Sequence, residues 1–278
     1  MRPLIVCSIP ESPFIRELAT HPVDVVSIHD PTRPARVVYM RTGYEIELNS
    51  PNLSIAVGVE HAYGGAIVVN PVTQVMAAQR KDLVYARLGE VGIPVPHFLP
   101  QPTYQEMLAR LESGEWRLPF ILRTVDGAGC KGMYLISNLS ELEPAFMHLH
   151  GQRIMAVEYI NTWRYGSYHV YRLYVIGDEL DMYSIGDDKQ PFIKWENGTQ
   201  AYDLPDDWIH HAIDVGRVLG IHVYRVDMVE AKDGQHFITD INPTYFITKD
   251  AISAPEPILE RRRGHFDRLV QYLYGLMS

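Results

Sequence analysis

Residues 224–246 read YRVDMVEAKDGQHFITDINPTYF, two alternating segments on either side of an Asp-Gly dipeptide. Val223–Glu230 and His236–Asn242 put Val226, Met228, Phe237, Thr239 and Ile241 on one side and mostly charged groups on the other, the period of a half-buried strand. Lys232-Asp233-Gly234 lies between them, and Asp-Gly is the strongest short hairpin signal. Counting outward from a two-residue turn at Asp233-Gly234 sets Asp227 opposite Asp240 and Arg225 opposite Asn242. A four-residue loop centred on the same dipeptide gives the same pairing. Two facing carboxylates repel, so something positive is expected between them. Two carboxylates and an amide carbonyl form an all-oxygen set that suits Mg²⁺ or Mn²⁺ and not zinc. Mg²⁺ usually completes its shell from water and substrate phosphates, so an incomplete protein set suggests a nucleotide. Taken alone, the segment reads equally well as a solvated hairpin whose acids point to water.

A second motif lies upstream. FILRTVDGAGCKGMYLI, residues 120–136, contains Gly127-x-Gly129-x-x-Gly132. In a dinucleotide-binding fold a helix follows such a loop, but Met133–Ile136 reads as a strand, so the element is β-loop-β. Glycines let backbone N–H groups approach anionic oxygens closely, and Arg123 and Lys131 add positive charge. The plain alternative is a glycine-rich hairpin without a ligand. Cys130 has no base placed beside it by sequence and is read as a loop residue.

The whole chain narrows the choice. Its 278 residues are 46% hydrophobic and 21% charged, a globular composition long enough for one large or several smaller cores. No apolar run approaches membrane-spanning length, and MRPLIVCSIP is too short for a signal-peptide core. Two cysteines, Cys7 and Cys130, make no disulfide framework, which fits a reducing cytoplasm. A net charge of −9 argues against non-specific nucleic-acid binding. The basic run Arg261-Arg262-Arg263 reads as a solvated helix face. No HExxH occurs among the twelve histidines, and His210-His211 and His148/His150 lack zinc spacing.

Strands are expected at Leu4–Ile9, Val23–Ile28, Arg36–Met40 and Ala66–Val69, a small α/β unit. Helical spacing runs from Val72 to Leu88 and stops at Gly89, Gly92 and Pro94. Pro94-Val95-Pro96 reads as a connector. Further helices are expected at Thr103–Ser113, Ser140–His150, Pro205–Leu219 and Ile258–Leu276. A hairpin at Gly177-Asp178 should join Tyr168–Ile176 to Glu179–Ile185. The middle of the chain is thus α+β, antiparallel strands with flanking helices. Three domains are expected: 1–75, small and α/β; 76–160, with the glycine-rich flap; and 161–278, with the metal site.

The order of Lys81, Arg123, the glycine loop, VEYI, a hairpin and then Asp227…Asp240-x-Asn242 resembles the ATP-grasp superfamily. YRVDMV…DGQHFITDIN looks especially like D-alanine–D-alanine ligases and ribosomal-protein glutamate ligases. The resemblance spans roughly Asn70 to Tyr245 and implies an ATP-grasp fold with nucleotide held between two α+β subdomains. It implies ATP and Mg²⁺ (or Mn²⁺) as cofactors, with Asp227, Asp240 and Asn242 as metal ligands. Arg225 corresponds to the arginine on the transferred phosphate and oxyanion, and Arg172 to one near the substrate phosphate. Lys81 and Arg123 correspond to phosphate-contacting positions. Gly127, Ala128, Gly129, Cys130, Lys131 and Gly132 correspond to the flap, and Val157, Glu158, Tyr159, Ile160 and Asn161 to the adenine-reading hinge. The family usually has Lys where Arg123 stands, Glu where Asp240 stands, and small residues where Pro243-Thr244-Tyr245-Phe246 follow.

The activity so implied is ligation of a carboxylate to an amine through an acylphosphate, forming an amide and releasing ADP and phosphate. An ATP-grasp phosphotransferase and a non-catalytic nucleotide-binding module are the alternatives. Substrates would be a small carboxylate and amine, or a peptide or protein. No nucleic-acid or membrane partner is expected and the cytoplasm is the expected compartment; the sequence does not give the oligomeric state, and the resemblance leaves a homo-oligomer open. Glu60–Ala66, EHAYGGA, is a candidate substrate loop or a plain glycine turn, and His169 and His222 are candidate bases.

Overall fold

The computed structural model describes residues 2–7, 13–30, 33–41, 51–126, 132–164, 167–188, 204–243 and 256–278. The chain opens with β1 (Leu4–Cys7), α1 (Pro13–Leu18), β2 (Asp24–Ser27), β3 (Val37–Arg41), α2 (Pro51–Ala62) and β4 (Ile67–Val69). These four strands form a wholly parallel sheet in the order β2-β1-β3-β4. β1 and β3 are buried along their whole length, as parallel strands covered on both faces should be. Glu60 in α2 accepts a hydrogen bond from the Val72 N–H, which gives the start of EHAYGGA a structural task.

The single helix expected over Val72–Leu88 is two: α3 (Val72–Gln79) and α4 (Lys81–Glu90). Arg80 leaves the helical region at φ −83°, ψ 83°. Its guanidinium bonds Asp82, Nε to Oδ1 at 3.2 Å and Nη2 to Oδ2 at 2.9 Å. The break places Lys81 in the first turn of a new helix, and hydrophobic spacing does not reveal it because both halves keep a buried stripe.

A second sheet, ordered β5-β8-β6-β7, is antiparallel throughout. It comprises β5 (Phe98–Pro100), β6 (Phe120–Thr124), β7 (Met133–Ile136) and β8 (Ile154–Glu158), covered by α5 (Tyr104–Glu112) and α6 (Leu142–His148). The Thr103 side chain caps α5 by accepting from the Glu106 N–H at 3.1 Å. Phe120 and Leu122 face the helices in this layer's core, which turns Arg123 to the other face.

The third sheet holds β9 (Trp163–Arg164), β10 (Ser167–Ile176), β11 (Glu179–Asp188), β12 (Val223–Glu230) and β13 (His236–Asn242). Its order is β11-β10-β12-β13, with β9 on β10. α7 (Asp206–Leu219) carries Asp206 and Asp207 in its first turn and ends at Gly220, φ +69°. α8 (Glu256–Gly275) closes the chain. No helix among the described residues is long and apolar enough to cross a membrane.

The two faces of β10 and β12 have different fates. Leu173, Val175, Tyr224, Val226 and Met228 pack with Trp208, Val215 and Leu219 of α7 and with Val84, Tyr85 and Leu88 of α4. Tyr174, Ile176 and Val223, on the opposite face, pack with Ile5, Cys7 and Tyr39 of the first sheet and Phe266 and Leu269 of α8. Farther along that second face the apolar residues give way to Arg172, Arg225 and Asp227. One end of the face is core; the other is a charged site.

Candidate active site

β12 and β13 pair Arg225 with Asn242, Val226 with Ile241 and Asp227 with Asp240. The expected pairing holds by a different route. Nearer the turn the register is Met228 to Ile238 and Glu230 to His236. The loop, 231–235, is one residue longer than the four-residue alternative, and Thr239 is a bulge that restores the count. The loop is closed by Ala231 N–H to Gln235 C=O at 2.8 Å and Gly234 N–H to Ala231 C=O at 3.0 Å. The bulge corrects the alternation: Ile238 and not Phe237 enters the core. Thr239 is fixed by its hydroxyl, which donates to the Asp227 C=O at 3.1 Å, and by its own C=O, which accepts from Tyr85 Oη at 2.9 Å.

The positive charge demanded by facing carboxylates comes from three directions. Arg225 grips Asp227 with its fork, Nε to Oδ1 at 2.7 Å and Nη2 to Oδ2 at 3.0 Å. Arg172, opposite Asp227 on β10, brings Nε to 3.8 Å from Oδ2. Lys81 reaches across from α4, Nζ 3.3 Å from Asp240 Oδ1. Burial pushes the Asp240 carboxyl up, but the Lys81, Arg123 and Arg225 charges outweigh it and hold the group below the usual carboxylate range. Burial likewise raises the Tyr85 phenol, with the Arg123 charge opposing and Asp240 adding. Arg123 of the second sheet thus shares one electrostatic environment with the hairpin of the third.

A hard cation fits this donor set. Asp240 Oδ1 is buried and makes no hydrogen bond among the described residues, only the Lys81 ion pair. Asn242 directs its Nδ2 toward Asp240 Oδ2 at 3.5 Å. Among the described residues no group of three His, Cys, Asp or Glu side chains could hold a metal. A cation here would therefore take two carboxylates, the Asn242 amide and non-protein oxygens, the preference of Mg²⁺.

The other expected site residues are less tightly assembled. Arg123 lies opposite Met155, so it and Val157 sit on adjacent strands of one sheet. Val157 is buried in the core between sheets. Glu158 is exposed at the end of β8, its N–H donating to the His97 C=O at 2.8 Å; Tyr159 and Ile160 are half-buried and Asn161 exposed. Gly127, Ala128, Gly129, Cys130 and Lys131 lie outside the described residues, as do Thr244, Tyr245 and Phe246 and the side chains of Arg261, Arg262, Arg263 and His169. Gly132 is described: its φ is +68°, and a Cβ there would lie 2.8 Å from Thr124 Cγ2. Asp126, at the other base of the loop, is held by Arg153 Nη2 at 2.7 Å and Arg80 Nε at 3.8 Å. His222 meets Tyr272, Oη to Nδ1 at 3.0 Å.

Sequence reasoning missed two residues that set the hairpin's position. Tyr85 lies four residues after Lys81, one turn along the same face of α4, a spacing that could have revealed it. Asn70 follows β4 and is fully buried. Its Nδ2 donates to the C=O of Val223 at 2.6 Å and of Pro243 at 2.9 Å. Its Oδ1 accepts from the N–H of His222 at 2.6 Å and of Val223 at 3.0 Å. A single amide thus ties the first sheet to both ends of the charged hairpin segment.

No protein-family model matches the chain. No curated protein sequence matches it either. Solved structures do. The ATP-grasp ligase PsnB in complex with a minimal precursor aligns with a TM-score of 0.71 at 14% identity, covering 99% of each chain. The same ligase with minimal precursor, Mg and ADP gives 0.68 at 13% identity, covering 98% of each chain. A RimK-domain ATP-grasp protein from Sphaerobacter thermophilus gives 0.67 at 18%, covering 98% of this chain and all of that one. The D-cycloserine synthetase DcsG gives 0.66 at 19%, covering 96% and 99%. Over nearly its whole length this chain has the fold of the ATP-grasp ligases.

Proposed function

We propose that the protein is an ATP- and Mg²⁺-dependent ligase that joins a carboxylate to an amine through an acylphosphate and releases ADP and phosphate. One observation carries the reading: Asp227 and Asp240 face each other across β12–β13, among four cations from one helix and three strands of two sheets. Phosphoryl transfer asks a protein mainly for positioning and charge neutralisation, and this arrangement supplies both. Asp227, Asp240 and Asn242 would hold Mg²⁺, which neutralises charge on the phosphates.

The chain's own residues account for the rest. Lys81 approaches from α4 and Arg123 from the second sheet, and both would orient the phosphates against the hairpin. Arg225 would stabilise the oxyanion that develops as the amine attacks, a contact commonly worth about 2.7–4 kcal/mol in the barrier, and Arg172 would lie near the substrate phosphate. The 127–132 loop would cover the acylphosphate against water, with the 157–161 segment reading adenine. The division into 1–75, 76–160 and 161–278 follows from this assignment. PsnB is complexed with a precursor and DcsG is a small-molecule synthetase, so both a peptide and a small amine are substrates to test.

The test is release of ADP and free phosphate with ATP and Mg²⁺ over pooled carboxylic acids, amino acids and acidic peptides, beside Asp240→Ala. Release that requires a carboxylate and an amine together, and is lost in the variant, is the expected result. ADP without free phosphate would replace the ligase with a phosphotransferase. No turnover by a protein that still binds nucleotide would leave a binding module.

A further inference from the structure

The carboxylates that would hold the metal already have partners. Both oxygens of Asp227 are taken by the Arg225 fork, and Asp227 Oδ2 also has Arg172 Nε at 3.8 Å. Asp240 Oδ1 faces Lys81 Nζ at 3.3 Å. A bidentate guanidinium–carboxylate pair is among the stronger charge-assisted contacts, and this one is buried. A divalent cation arriving alone would have to break this buried bidentate pair, which is costly.

The charge balance points the same way. Among these six described side chains, Lys81, Arg123, Arg172 and Arg225 set four positive charges against the two of Asp227 and Asp240. A bare dication adds to that excess. A metal–nucleoside triphosphate complex carries a net charge of about −2, because the ion offsets only part of the phosphate charge. Its phosphate oxygens also offer the displaced guanidinium a planar bidentate partner, the geometry for which Arg is suited.

Building on the proposed nucleotide and metal site, we propose that Arg225 occupies Asp227 in the nucleotide-free protein and yields it only when polyphosphate arrives. Metal and nucleotide therefore bind as one unit, and metal does not bind first. Arg225 has two partners in turn, the carboxylate before binding and the phosphate after it. Lys81 plays the same part for Asp240, more weakly, because an ammonium is a single point of charge.

The experiment follows free Mn²⁺ by its electron paramagnetic resonance signal as it is titrated into the full chain without nucleotide. Wild type, Arg225→Gln and Lys81→Gln are compared. In parallel, binding of ADP is measured with and without Mn²⁺. Arg225→Gln keeps hydrogen-bonding capacity but removes the charge; it should bind Mn²⁺ alone at least about tenfold more tightly than wild type, the scale of one charge-assisted contact. Lys81→Gln should show a smaller gain, and serves if Arg225→Gln fails to fold. Asp227→Asn added to Arg225→Gln should abolish the gain. Wild type should bind ADP more tightly with Mn²⁺ than without.

If wild type takes up Mn²⁺ alone as tightly as the charge-removed variants, while Mn²⁺ still promotes ADP binding, the coupling is overturned and the site reading survives. If neither Mn²⁺ nor ADP binds in any combination, the nucleotide site itself is overturned, and the coupling with it.

Discussion

His236 shows how one buried group makes stability depend on pH. Its Nε2 lies 2.7 Å from His211 Nδ1, so the two rings share one proton and both cannot be charged without losing that bond. Burial and the His211 charge push the His236 imidazole down, and Asp207 and Glu230 only partly offset them. The folded value therefore lies below the unfolded value of about 6.5. Above that value both states are neutral and His236 contributes no slope. As pH falls below it, the unfolded chain takes up the proton first and stability declines. The urea midpoint should accordingly fall from about pH 7 to about pH 5.5, and His236→Gln should flatten part of that slope. An identical slope in the variant would assign the effect to another group.

At the scale of elements, the contact of α7 with β12 depends on Gly216. A Cβ there would lie 2.5 Å from Tyr224 Oη and 2.6 Å from the Ile221 C=O. That hydroxyl is committed: it accepts from the Gly216 N–H at 3.0 Å and lies 2.9 Å from the C=O of both Ala212 and Ile213. Ala is the better helix former by about 1 kcal/mol, but forced displacement of a well-packed core side chain typically costs about 1–3 kcal/mol. Overpacking should win, so Gly216→Ala should lower the thermal midpoint. An unchanged or raised midpoint would mean that Tyr224 has room to move. Because Tyr224 adjoins Arg225, the same variant should also disturb the charged hairpin.

At the scale of the whole molecule, three sheets meet where the charges gather. The first sheet reaches the hairpin through Asn70, the second through Arg123, and α4 through Lys81 and Tyr85. Asn70→Ala would strip partners from two backbone N–H groups and two carbonyls, all beside the hairpin. Leaving such buried groups unsatisfied should cost about 2–4 kcal/mol, measured as a loss in unfolding free energy by denaturant titration. Asn70→Asp keeps the two accepted bonds and loses the two donated ones, so it should not restore wild-type stability. A near-neutral Asn70→Ala would show that water replaces the amide.

The sequence by itself determined the third-sheet hairpins, the facing of Asp227 with Asp240 and the α+β order of elements. These rest on alternation, turn chemistry and spacing, which act between residues close along the chain; the ATP-grasp fold was implied by the resemblance of its ordered motifs to that superfamily. Only the tertiary structure decided the bulge at Thr239, the break at Arg80 and the separate strands β5 and β9. It also decided which cation meets which carboxylate. Strand period says that Lys81 and Arg123 are positive residues on a helix and a strand, but not that they converge on Asp240. That convergence is set by how the sheets pack around one core. The pairing of Arg225 with its own near neighbour Asp227 was equally hidden, because adjacent positions on one face of a strand fix proximity and leave the side-chain partner open. The cause is electrostatic: buried opposite charges choose partners by distance and desolvation in the folded protein, and neither quantity is written in the order of residues.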